Sequence, residues 1–98
     1  MPDAQGMVRP IKPNLKRQRN TLRQALGSVI TELRTKRKWS QEEVSHKAGY
    51  SSRYIITIEK GQQNFSFDLL VAVAEVFGLS VSQLVVKAER AHRRPKPL

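Results

Sequence analysis

The amino-acid sequence predicts an all-α fold of five short helices with a basic arm at each end. Three observations carry the prediction. Apolar residues recur at helical spacing from Leu22 onward. Ser-x-x-Glu and Ser-x-x-Gln start signals stand at Ser40 and Ser80. Glycines at 49, 61 and 78 fall where a left-handed residue would close a helix.

Residues 1–18 contain Pro2, Pro10 and Pro13, Gly6 and the string Lys16-Arg17-Gln18-Arg19, with few apolar side chains to bury. That composition predicts an extended or disordered basic arm. The folded domain is expected at 19–92, and 93–98 form a basic tail whose prolines cannot continue a helix. Leu22, Leu26, Val29, Ile30 and Leu33 line one face of a first helix, expected from Thr21 to Arg37. At Trp39-Ser40-Gln41-Glu42-Glu43-Val44, Ser40 can cap residue 43 while Glu43 reaches back, and Trp39 can close on Val44. A short second helix therefore starts at Ser40 and ends at Gly49.

The next stretch, Ile55-Ile56-Thr57-Ile58, has the composition of a β-strand. A start signal at Ser51 and a stop at Gly61 bracket it as a third helix instead, and Ile55 and Ile58, three apart, then share the face toward Val44 and Ala48. Ser52, Arg53, Ile56 and Thr57 point the other way. Ser66 caps a fourth helix, Phe67 to Phe77, so nearly apolar that it is expected to be buried all round. Ser80 with Gln83 opens a fifth, whose stripe is Val81, Leu84, Val85 and Ala88. Trp39, Tyr50 and Phe67 are expected in the core, and His46 in solvent.

Composition narrows the function. The chain has 98 residues, 39% of them hydrophobic, enough for one small core. It has no cysteine, and its two histidines are too far apart for metal-ligand spacing, so no metal and no cofactor are expected. No paired carboxylates, activated nucleophile or glycine-rich phosphate loop occur at workable spacing, which argues against an enzyme. The longest apolar run, Leu69 to Val73 with Ala74, is far too short for a membrane span and no secretory signal is evident, so no membrane partner and a cytoplasmic location are expected. Net charge is +10, distributed as +8 over residues 1–38, −2 over 39–86 and +4 over 87–98. Basic ends suit either polyanion-seeking arms or solvated tails.

Two short helices joined by a glycine-containing turn, the second with a polar outer face, form the helix-turn-helix arrangement that reads DNA. The run LGSVITELRTKRKWSQEEVSHKAGYSSRYIITIEKGQQNFSFDLLVAVAEVFGLSVSQLV resembles the phage-repressor (Cro-like, XRE-type) helix-turn-helix domains of bacteria and their phages. Gln41, Val44, Ala48-Gly49, Ile55, Ile58-Glu59 and Gly61 anchor the resemblance, which covers Leu26 to Val85. It implies a five-helix, lambda-repressor-like domain. Ser45 stands where the family usually has alanine and should bond back to the preceding turn, and Phe65 replaces a loop proline.

On the outer face of the third helix, Arg53 offers a fork matching guanine O6 and N7, Ser52 and Thr57 can bond several bases, and Ile56 could meet a thymine methyl. A phosphate contact or solvation remains open for Arg53, and a plain surface role for Ile56. The resemblance implies phosphate contacts from Gln41, Ser51, Tyr54, Lys60, Gln62 and Asn64. It also implies a structural ion pair between Arg34 and Glu59, a carboxylate that the C-terminal helix dipole opposes. Phe77, Leu79, Val81 and Val86 are candidates for a homodimer interface. The function expected is a sequence-specific double-stranded DNA-binding transcriptional regulator, most simply a repressor on a palindromic operator, acting at the nucleoid. The alternatives are an antitoxin or bridging module with a protein partner, and an architectural protein that binds DNA through charge alone.

Overall fold

A computed structural model describes the backbone of residues 13–93 and the side chains of residues 21–92. The helices are α1 (Pro13–Lys36), α2 (Gln41–Ala48), α3 (Ser52–Glu59), α4 (Phe67–Val76) and α5 (Val81–Arg93), with no strand among the described residues.

α1 starts earlier than expected. Residues 13–18, read from sequence as part of the extended arm, are helical. Proline is favoured at a first helical position, where no N–H partner is needed, and the lysine, arginine and glutamine that follow are good helix formers. The rest of the expected arm, 1–12, and the tail from 94 onward lie outside the described residues.

The cap signals work as the sequence implies. Ser40 Oγ accepts from Glu43 N at 3.0 Å and Ser40 N donates to the Glu43 carboxylate at 3.3 Å. Ser80 and Gln83 make the same reciprocal pair at 3.1 and 2.8 Å. Ser51 and Ser66 cap α3 and α4 through Tyr54 N and Leu69 N. Between α2 and α3, Gly49 adopts φ +79°, and its N–H and that of Tyr50 both return to Ser45 O. A side chain with a Cβ is strained in that left-handed conformation, so glycine sets the tight angle between the two helices.

Every helix contributes to the core. Ile30, Val44, Ile55, Ile58, Leu69, Val73 and Leu84 are all but sealed from solvent. α1 packs along α5, and α2 and α3 pack together beneath α4 and α1. Ile55 and Ile58, at 1% and 0% exposure, settle the strand-like stretch as a helix with one buried face. Burying each is worth about 1.5–3 kcal/mol, more than the weak strand preference of isoleucine.

α4 departs from expectation. Only Leu69, Val73 and Ala74 are buried within it, and Phe67, expected in the core, is 71% exposed. Phe67 lies roughly 200° around the helix from Leu69, at about 100° per residue, which turns it away from the stripe that continues through Val73 to Phe77. Trp39 and Tyr50 do pack against the core. Trp39 stacks on Phe77 at 5.8 Å, with the Arg37 guanidinium over both rings.

Candidate nucleic-acid interface

The interface begins with the framework that holds α3. Arg34 Nε and Nη2 donate to the two carboxylate oxygens of Glu59 at 2.7 and 3.0 Å, and Arg34 Nη1 donates to Trp39 O at 3.0 Å. The two side chains are only 15% and 6% exposed. The Glu59 carboxylate, chiefly through its hydrogen bond and then its charge, holds the Arg34 guanidinium above its ordinary pKa, with burial opposing. The fork ties the last turn of α3 to the end of α1 and to Trp39 in the turn that leads into α2.

Gln41, expected on a phosphate, joins this framework: its Nε2 donates to Glu59 Oε1 at 2.9 Å. One of its two amide hydrogens is therefore committed inward. Glu42 and Glu43, in the same first turn, suit the helix dipole and oppose an approaching phosphate.

α1 comes against α3 at Gly27. A Cβ there would stand 2.6 Å from both Ile58 O and Glu59 O. No local sequence signal marks this glycine, because in a helix it reads as a weak helix former.

The four residues expected to face bases are not equivalent. Ser45 Oγ donates to Glu42 O at 2.6 Å, the back-bond expected from sequence, and lies 3.1 Å from Ser52 Oγ. A hydroxyl has one hydrogen, so Ser52 must donate to Ser45. Ser52 is half-buried, and its hydroxyl faces α2 instead of pointing outward. Thr57 Oγ1 donates to Tyr54 O at 2.7 Å, which leaves its lone pairs and methyl group for an outside contact. Ile56 is half-buried rather than exposed. Arg53 is exposed and makes no hydrogen bond or ion pair with the described residues. Of the four, it alone offers outward hydrogen-bond donors.

Arg53 and Thr57 line a shallow hollow with Ser51, Tyr54 and Gln63. Tyr54 is braced by Tyr50, the rings stacked 5.1 Å apart. Ser51 Oγ accepts the α3 capping bond and retains its own hydrogen to give. Gln63 carries no signal in the sequence that marks it for this hollow, although Gln62 and Asn64 beside it are phosphate candidates by resemblance. Lys60 and Gln62 are exposed on the loop, whereas Asn64 lies apart, beside Leu22, Arg23 and Phe65.

The dimer candidates also divide. Phe77 is 3% exposed and stacked on Trp39, so it belongs to the core and has no surface to offer a partner. Leu79 and Val81 are half-buried against the core, and Val86 is 41% exposed. No group of three or more potential metal ligands occurs among the described residues, and no single described helix is long and apolar enough to cross a membrane.

A tight turn between two short helices, the second pinned by its buried face and its last carboxylate with an exposed arginine on its outer face, defines a helix-turn-helix DNA-binding domain. Comparison with known proteins agrees. A helix-turn-helix family profile matches residues 30–84. An uncharacterized HTH-type transcriptional regulator of Sinorhizobium fredii is 31% identical over 68 residues, covering 69% of this chain and 88% of that protein. The immunity repressor protein of Bacillus phage phi105 is 34% identical over 72% of this chain, which spans about half (53%) of the repressor's length. Among solved structures, the clp gene regulator ClgR from Corynebacterium glutamicum superposes with TM-score 0.68 at 27% identity, over 72% of this chain and 76% of that one. The restriction-modification controller protein C.AhdI from Aeromonas hydrophila gives 0.59 at 28% identity, over 62% and 92%. The chain belongs to the XRE-type helix-turn-helix family of DNA-binding regulators.

Proposed function

We propose that this chain is a sequence-specific repressor that occupies a palindromic operator as a homodimer. The observation that carries the reading is Arg53, free and exposed on a helix whose opposite face and C-terminus are both locked. A free guanidinium on a fixed rod can present its fork to guanine, whereas Ser52 positions α3 through Ser45. Thr57 and half-buried Ile56 supply apolar surface for a thymine methyl. Ser51, Tyr54 and Gln63 share the hollow with Arg53, and Lys60 and Gln62 are exposed on the loop after α3; all are groups suited to phosphate, which fix register without reading sequence. The domain comprises the five helices, and the basic segments at either end add charge-driven attraction to DNA.

One short helix reads few base pairs, so a second copy is needed for an operator-length site. Leu79, Val81 and Val86 supply the surface for it. The immunity repressor among the relatives supports the direction of control. The chemistry is binding without catalysis, in the cytoplasm at the nucleoid.

Selecting bound sites from random duplex DNA with the full chain tests this. The expected result is an inverted repeat with half-sites about 34 Å apart, one helical turn. Recovery of no preferred sequence despite tight binding would replace this reading with charge-driven architectural binding, and absence of DNA binding would leave a protein-interaction role.

A further inference from the structure

Two hollows flank α5. One, around Leu79 and Val86, belongs to the dimer surface already proposed, and Lys87 and Arg90 stand on the ridge between the two hollows and line both. The other lies between α5 and the C-terminal half of α1. Val29, Leu33 and Ala91 form its apolar floor, and Lys36, Lys87 and Arg90 its rim. Lys36 pairs with Glu32 at 3.0 Å, whereas Lys87 and Arg90 are exposed with no ion-pair partner among the described residues.

This groove faces away from the reading helix. Around α1, at about 100° per residue, Val29, Glu32, Leu33 and Lys36 fall roughly 140° to 240° from Gly27, the residue that touches α3. Whatever fills the groove therefore leaves α3 free for DNA.

The geometry points to a docking site for an acidic amphipathic helix of a partner protein, bound while α3 is on DNA. Its apolar stripe would lie on Val29, Leu33 and Ala91, in the cleft between two helices where a third packs. Its carboxylates would meet Lys87 and Arg90 and compete with Glu32 for Lys36. The nearer occupants are excluded. The chain's own ends are basic, with Arg9 and Lys12 against Asp3 at one and Arg94 and Lys96 at the other, and a second copy is assigned to the surface around Val86 in the homodimer proposed above. The apolar floor disfavours nucleic acid, whose phosphates stay hydrated at cationic surfaces.

The probe is a helical peptide of about 16 residues, long enough to hold a helix in water, with a leucine stripe flanked by glutamates. A scrambled peptide of the same composition is the control. Lys36→Glu/Ala91→Glu alters exposed positions that line this groove and not the hollow around Val86. By fluorescence anisotropy the striped peptide should bind the full chain about ten-fold more tightly than the scrambled one, and the double variant should lose that advantage. Affinity of the variant for random duplex DNA should match that of a variant carrying the same change of charge outside the groove, because random-DNA binding follows net charge, and circular dichroism should show it folded. Equal binding of the two peptides, or unaltered binding to a folded variant, overturns the proposal. A variant that loses more DNA affinity than that charge-matched control while keeping the peptide would make the groove a nucleic-acid surface and overturn it equally.

Discussion

Adding one methyl group at Gly27 would force α1 and α3 apart. The added Cβ would lie 2.6 Å from two backbone carbonyl oxygens, and relaxing to an ordinary 3.4 Å contact needs 3.4 − 2.6 = 0.8 Å of movement. Neither oxygen can rotate away, because both belong to the last turn of α3, which Ile58 and the Arg34–Glu59–Gln41 network hold in place. Overpacking of this kind costs about 3 kcal/mol at the upper end, while alanine in place of a helical glycine returns about 1 kcal/mol. The expected net loss for Gly27→Ala is therefore about 2 kcal/mol, a fall in Tm on the order of 10 °C for a domain of this size. Thermal unfolding followed by circular dichroism measures it. The sign is the test, since a helical glycine without a close neighbour would gain stability from the same change. A Tm equal to or above that of the wild type would show that the two helices do not cross at this distance.

Further substitutions examine separate parts of the structure. Arg34→Ala leaves Glu59 with Gln41 alone in a nearly closed site and should cost about 3 kcal/mol in urea unfolding, whereas Arg34→Lys should recover only part of that because it cannot form the fork. Because the Arg34 pKa is raised above its already strongly basic ordinary value, its contribution is fully present below that ordinary value and is lost only as pH rises through the raised one, so Arg34 itself should add no slope to stability between pH 6 and 9. Ser40→Ala removes half of the α2 capping box and should cost about 1 kcal/mol by the same assay. Lys38 is held at φ 58°, so Lys38→Gly should match or exceed the wild type, by up to about 1 kcal/mol, in contrast to the loss expected of glycine at an ordinary helical position.

The parts of the molecule legible in the sequence are those fixed by neighbours along the chain. The capping boxes at Ser40 and Ser80 need only residues three apart, and the spacing of Ile55 and Ile58 identifies α3 against a strand-like composition. The Arg34–Glu59 pair spans 25 positions and was accessible through family resemblance alone. What remained hidden depends on the tertiary fold. Gln41 turns inward because Glu59 arrives beside it, and Ser52 faces α2 because Ser45 stands within hydrogen-bond reach. Phe77 is taken up by Trp39. Gly27 carried no local mark, since its requirement comes from a backbone more than thirty residues away in sequence. The early start of α1 was obscured by Pro13, which is as compatible with a first helical position as with an extended arm.

The proposed reading of DNA by α3 rests most on Arg53. Its most direct test compares wild type and Arg53→Ala on the preferred operator, on each single-base variant of it, and on random duplex DNA. Loss of about 1–3 kcal/mol on the operator, with discrimination relaxed at one base pair and random-DNA affinity nearly unchanged, is the expected result. Equal losses on operator and random DNA would show that Arg53 contacts only phosphate, and would contradict the claim.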